Sequence, residues 1–392
     1  MSQQLFDRVD PILDTLVAFR QELHAHPELS WEETETTDRI ARFLHDRQVI
    51  GFRPLTGTGG VVDLVFREGA PFILLRADID ALPLADEKTV AYRSTRPGVC
   101  HACGHDAHTT IVAGIGSLAA ANRLTSDWNV RLVFQPAEEP IPSGAPEVIR
   151  QGVMENVALS LGMHMEPRLP LGTIGLTPGY INMQSIRLDL VLRGKGGHSA
   201  RPYETADLLW LASRVIQESY QMIYREINLL DSAVVLTFTE IHAGEGYNVI
   251  PGELRMTGTL RLADPLKKER ALEKLRGLLG WLEADSGASI SLAVTEGSPA
   301  VYNDPDLTAE LQRIVAERFG DAIAIDTTYR TPGGDDFSHY LENRPGVMMR
   351  IGIRERDDQP SLHEGTFDIP PEALRIGTAV IAECLAALPP AE

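Results

Sequence analysis

The hydrophobic pattern changes period twice along this chain, and that change restricts the fold more than any single motif. Up to about residue 182 the strand-like segments are short continuous apolar runs: Val61 to Phe66, Phe72 to Leu75 and Val130 to Phe134. Runs without polar alternation suit strands covered on both faces. Helical stretches separate them. Asp10 is an expected N-cap with Pro11 at the first helical position, followed by a stripe at Ile12, Leu13, Leu16, Val17 and Leu23. Further helices are expected over about 33–47 and, in an Ala- and Gly-rich stretch, over about 107–121. Strands alternating with helices in this way predict an α/β domain, a mostly parallel central sheet with flanking helices.

From 183 to 297 the period is two. Ile186, Leu188, Leu190 and Leu192 alternate with mostly polar residues, as do Leu254, Met256, Leu260 and Leu262, and again Ile290, Leu292 and Val294. Such strands have one wet face. With helices over about 203–225 and 265–285 and a strand over about 233–242, the order is βαββαβ, an α+β unit complete in itself. After 298 the buried pattern returns, with a helix near 305–319, an apolar strand from Val347 to Ile353 and a helix after Pro370-Pro371. The chain reads as one α/β domain built from residues 1–182 and 298–392, interrupted by an α+β domain of residues 183–297.

Charge narrows the function classes. Across 392 residues, 55 Asp and Glu against 36 Lys and Arg give a net charge of −19. A surface that acidic repels phosphate backbones and anionic lipid, so neither nucleic acid nor a membrane is expected as a partner. No run approaches the ~18–20 apolar residues of a bilayer span. The first residues lack the basic and apolar regions of a secretory signal. Three cysteines cannot build a disulfide scaffold at this length. The expectation is a soluble cytoplasmic enzyme.

Residues 100–108, Cys-His-Ala-Cys-Gly-His-Asp-Ala-His, concentrate three histidines and two cysteines just ahead of an expected helix. Cys103 and His105, with Gly104 between them to tighten the turn, suit a borderline-soft divalent metal. Phe-Gln-Pro-Ala-Glu138-Glu139 follows an apolar strand, where α/β sheets bind ligands. Adjacent side chains diverge, so one carboxylate can coordinate a metal while the other takes a proton from water. Asp78 and Asp80 also end an apolar strand and suit either ligation or the orientation of an imidazole. His164 and His363 each follow an apolar run, and His198 follows Gly-Lys-Gly-Gly in the inserted domain. His24 and His26 sit at a helix end, where a cation suits the dipole. His45, His108, His242 and His339 receive no role. The chain has no G-x-S-x-G elbow, phosphate-binding P-loop, H-E-x-x-H pair, P-C-x-x-C or dinucleotide fingerprint.

In order, and over almost the whole chain, these motifs resemble the M20 metallopeptidases. The branch in view is that of the amidohydrolases of N-acyl amino acids, such as hippurate hydrolases and plant-type auxin–amino acid conjugate hydrolases. The segments that carry the resemblance begin with Arg20 to Glu28, Arg76 to Pro83, His101 to His108 and Phe134 to Glu139. They continue with Gly194 to His198, Asn248 to Pro251, Gly333 to Phe337, and Leu362-His363. The resemblance implies a zinc-peptidase-like central domain and a ferredoxin-like insertion serving as dimerisation or lid domain. It implies two divalent metal ions, drawn from Zn, Mn, Co or Ni, held by Cys103, His105, Glu139, His164 and His363. Glu138 would be general base and then acid, Asp80 would support the centre, and His198 and Asn248 would bind substrate or stabilise the oxyanion. The implied reaction is hydrolysis of the amide of an N-acyl amino acid by a homodimer or higher homo-oligomer. Pro140 to Pro146, Tyr203 and Asp335 depart from the family pattern and bear on substrate preference. A dipeptidase or carboxypeptidase on the same scaffold, and a non-catalytic metal or redox protein using Cys103, are the alternative readings.

Overall fold

The computed structural model describes residues 6–228 and 233–390. The first five and last two residues of the expected outer domain, and 229–232 of the insertion, lie outside the described residues. The chain divides into two compact units. One takes the described residues up to Ile181, then Val301–Arg330 and those from Asp335 onward; the other takes Asn182–Ala300 with Thr331–Gly334.

The larger unit is built on an eight-stranded sheet. Its order is Arg53–Pro54, Gly60–Leu64, Asn129–Gln135, Phe72–Asp78, Val157–Pro170, Gly346–Arg354, Thr173–Gly175 and Ala324–Asp326. The four central strands, Asn129–Gln135 to Gly346–Arg354, are parallel. Antiparallel pairings flank them, through Gly60–Leu64 on one side and Thr173–Gly175 on the other. The strand Val157–Pro170, which contains the apolar run ahead of His164, forms the middle of the sheet.

The apolar runs are continuous because both faces are covered. Ile73 and Leu75 join a cluster with Leu16, Ile40, Ile111 and Val380, whereas Leu74 joins Val61, Val133, Phe337 and Met348 on the opposite face. Helices Leu13–Ala25, Thr34–Asp46, His105–Ala120, Pro305–Phe319 and Pro371–Ala387 pack in this unit. Asp304 caps Pro305–Phe319 by accepting from the Leu307 N–H. Asp10 does not cap the first helix. It opens a short 3-10 turn, Asp10–Ile12, and its carboxylate binds Arg375 instead.

The smaller unit is a four-stranded antiparallel sheet in the order Val234–Ala243, Glu253–Leu262, Gln184–Arg193, Ser289–Glu296, with helices Leu208–Glu226 and Pro265–Ser286. Its period-two residues, Ile186 to Leu192 and Leu254 to Leu262, form the core with Leu211, Val215, Leu275 and Leu282. The first helix starts later than the sequence suggests. Pro202–Glu204 forms a separate 3-10 turn, and Asp207 caps the helix by accepting from the Leu209 and Trp210 N–H groups. Among the described residues no helix is long and apolar enough to cross a membrane.

Candidate metal centre

Parallel register brings the carboxyl ends of three strands to one edge. Asp78, which ends Phe72–Asp78, lies in register with Gln135, and Arg76 with Gly162. Glu138 and Glu139 therefore emerge beside Asp80, and His164 stands level with Asp78. The turn carrying the two glutamates is held from below. The buried Glu33 carboxylate accepts from the Ala137 N–H at 2.8 Å and the Thr58 hydroxyl at 2.6 Å. Ala137 itself adopts φ +54, an uncommon conformation for a side-chain-bearing residue.

His105 opens the helix His105–Ala120, and Cys103 lies in the turn just before it. Gly104 precedes that helix at φ +90, where a Cβ would come 3.2 Å from Met165 and Ile369 side-chain atoms. His363 sits in a loop at φ +65 and donates its N–H to the Ala102 carbonyl at 2.8 Å, which ties it to the Cys103 loop.

The donor atoms converge. Cys103, His105 and His164 place ligand atoms within 4.8 Å of one another, as do Cys103, Glu139 and His363, and also His105, Glu138 and Glu139. Cys103 Sγ is 3.4 Å from His164 Nε2, and Glu139 Oε1 lies 3.9 Å from His105 Nε2 and 3.5 Å from His363 Nε2. The far side of each buried ring fixes its tautomer. His164 Nδ1 lies 2.7 Å from the Met165 carbonyl, which can only accept, so Nδ1 carries the proton. His105 Nδ1 is 3.0 Å from Asp80 Oδ1 and is fixed in the same way. Each Nε2 therefore presents a lone pair inward. His105 Nε2 and Glu139 Oε1 are buried without a hydrogen-bond partner. Orphaned acceptors that face one another beside a thiol are what a divalent cation satisfies, so the residues present fit a metal.

Asp80 organises two of these groups. Besides His105, it accepts from the Ser30 hydroxyl at 2.8 Å and the Glu139 N–H at 3.2 Å. Glu138 Oε1 accepts from the Asp336 N–H at 3.3 Å. Burial first, then the charges of Asp335, Glu139 and Asp336, push the Glu138 carboxyl well above the usual range. Burial, and after it the Arg350 guanidinium, hold the His164 imidazole well below its usual range.

Sequence reading assigned no role to His108, which is fully buried here. His108 Nε2 accepts from the Met165 N–H at 2.9 Å and Nδ1 donates to Asp78 Oδ1 at 2.6 Å. It thus holds by its N–H the residue, Met165, whose carbonyl orients His164. Its three-residue spacing from His105, on one helix face, was the available signal. Asp78 in turn binds Arg76 at 2.6 Å, and Arg76 binds Asp336 at 2.6 Å. His198 and Asn248 lie in the smaller unit. Val249 pairs with His198 in a two-stranded ladder and the Ser199 N–H donates to the Asn248 carbonyl at 3.0 Å, which sets these two residues side by side.

Residues 74–387 match the family described as peptidase family M20/M25/M40. N-acetylcysteine deacetylase of Bacillus subtilis (strain 168) is 34% identical over 369 residues, covering 94% of this chain and 95% of that protein. The Arabidopsis thaliana IAA-amino acid hydrolase ILR1-like 2 is 30% identical over 382 residues, with 96% and 86% covered. The crystal structure of a dinuclear metal-binding M20 peptidase from Bacillus subtilis superposes with a TM-score of 0.84 at 31% identity, covering 96% of this chain and 98% of that one. The chain belongs to peptidase family M20/M25/M40, as a metal-dependent hydrolase of its amidohydrolase branch.

Proposed function

We propose that this protein hydrolyses the amide bond of N-acyl amino acids at a centre of two divalent cations. The observation that carries the reading is the convergence of donor atoms from Cys103, His105, Glu139, His164 and His363, with His105 Nε2 and Glu139 Oε1 buried and orphaned. The thiolate, imidazole and carboxylate donors admit Zn, Mn, Co or Ni. Bound cations would polarise the scissile carbonyl and make the attacking water acidic. Glu138 takes the proton of that water, for which its buried, acid-flanked position suits it, and returns it to the leaving nitrogen. The Asp336 N–H holds Glu138 in place for both transfers. Asp80 keeps His105 in its ligating tautomer. His198 and Asn248 grip the substrate or stabilise the oxyanion, from their own subunit or from a partner's in a homodimer. The N-acetylcysteine deacetylase and the IAA-amino acid hydrolase among the relatives support this substrate class.

The test is Glu138→Gln. Turnover of acetylated and benzoylated amino acids should fall by on the order of a thousandfold or more, with metal content by elemental analysis staying near two per chain. Full turnover in that variant would remove Glu138 as the base. A panel that also contains dipeptides separates the amidohydrolase from a dipeptidase or carboxypeptidase.

A further inference from the structure

Arg350 lies in parallel register with His164 on the neighbouring strand Gly346–Arg354. Met349 and Ile351 point into the helix-covered cluster and Met348 into the opposite one, so Arg350 shares the sheet face of Met348. On the other side its register partner is Gly175, where a Cβ would come within 2.9 Å of the Arg350 Cβ. The glycine leaves room for the long side chain. The guanidinium carbon lies 5.8 Å from the centre of the Tyr329 ring.

This arginine is unlike the other buried ones. Arg20, Arg76 and Arg131 each meet a carboxylate at 2.6–2.8 Å. Arg350 is only 4% exposed, its Nε has no hydrogen-bond partner, and among the described residues no carboxylate lies within ion-pair distance of it. The neighbouring acid Glu166 is already engaged, with one oxygen on Arg168 at 2.9 Å and the other on the Tyr329 hydroxyl. A buried cation without a counter-ion is unstable unless an anion arrives from outside.

We propose that Arg350 is the anchor for a carboxylate carried by the substrate, on the His164 side of the metal centre. This rests on the amidohydrolase reading above. The planar fork of a guanidinium takes a carboxylate through two parallel hydrogen bonds, and desolvation strengthens them. The carboxylate is either that of the amino acid released or a second acid on its side chain. The site therefore selects acids over the corresponding amides.

Two substrate pairs test this: N-acetyl-L-alanine against its carboxamide, and N-acetyl-L-glutamate against N-acetyl-L-glutamine. Wild-type protein and the Arg350→Gln and Arg350→Lys variants are compared, all loaded with metal. The expected result is a preference for the acid in one pair that shrinks by on the order of tenfold to a hundredfold in Arg350→Gln, mainly through KM, and is partly restored in Arg350→Lys. The pair that collapses names the source of the carboxylate. Acid preferences unchanged by the substitution would overturn the inference. Titration calorimetry with the same four compounds reads binding without chemistry. Tighter binding of the acid that is lost in Arg350→Gln, without hydrolysis in any protein, would fell the functional reading and leave Arg350 assigned. No acid-selective binding in the wild type would fell the inference. The ligand-free Arg350→Gln protein should also melt at or above the wild-type temperature, because an unpaired charge is removed; a lower melting temperature would mark a structural arginine instead.

Discussion

Two buried clusters in the larger unit each bring a cysteine thiol together with histidine. Cys103, His105 and His164 form one, and His24, Asp86 and Cys100 the other, each with ligand atoms within 4.8 Å. They differ in what is left over. His24 Nδ1 lies 2.7 Å from Asp106 and Nε2 3.2 Å from Asp86, so both nitrogens must donate and the ring is an imidazolium. Burial opposes that charge, yet Asp106 and Asp86 overcome it and push the pKa up to about 10. Asp106 also takes Arg20 at 2.7 Å, and Asp86 takes Lys88 at 2.9 Å. No lone pair on His24 remains for a metal. In the first cluster the far nitrogens are tied down, while on the near side His105 Nε2 has no hydrogen-bond partner and His164 Nε2 faces only the Cys103 sulfur. Proximity and composition do not separate a ligand from a scaffold; hydrogen-bond saturation does.

The largest effect should come from the unsaturated cluster. His105→Ala is expected to lower turnover at least a hundredfold and to bring metal content below that of the wild type, as read by elemental analysis. Asp80→Ala, one step out, should leave a folded protein that binds metal about tenfold to a hundredfold more weakly in a competition titration. If both variants kept wild-type metal affinity, the unsaturated donors would not be ligands and the comparison would fail.

Much of this was legible in the sequence, for identifiable reasons. Continuous runs such as Leu74-Leu75 and Val130 to Phe134 marked strands covered twice, and the alternation in Ile186 to Leu192 marked a strand covered once. Cys103, His105, Glu138 and Glu139 were visible because their neighbours in sequence are also neighbours in space. His108 and Arg350 were not. The role of His108 depends on Met165, 57 residues away, and that of Arg350 on its Nε finding no hydrogen-bond partner among the described residues, and neither is a property of the local sequence. His24 was read as a helix-end cation; its charge comes instead from Asp86 and Asp106, 62 and 82 residues along the chain.

The saturated cluster should answer in stability. His24→Gln leaves Asp86 and Asp106 without a buried cationic partner between them, which should lower unfolding stability in urea by about 3–5 kcal/mol at neutral pH. Metal content per folded chain should not change. The pH dependence has a definite sign. The folded pKa, about 10, lies above the ordinary 6.5, so the stabilisation is complete below about pH 6.5 and is lost as pH rises through about 10. Wild-type stability should therefore decline from pH 6.5 to 10, with a shallower slope in His24→Gln. Equal slopes would show that the ring is neutral in the folded protein, and a neutral His24 would have a lone pair to offer.

Cys100 gives the smallest and most discriminating effect. Its sulfur lies 3.6 Å from Lys88 Nζ and its backbone bridges to Leu82, so the side chain adds little that the strand-like pairing does not already hold. Cys100→Ala should cost about 1 kcal/mol from the small buried volume removed. It should keep metal content and turnover close to wild type. Cys103→Ala, three residues on and also buried, should lose metal. The pair of variants changes the same atom type in the same loop and differs only in what that atom faces. Loss of metal in both would mean that the second cluster is also a cation site, and that hydrogen-bond saturation does not tell the two apart.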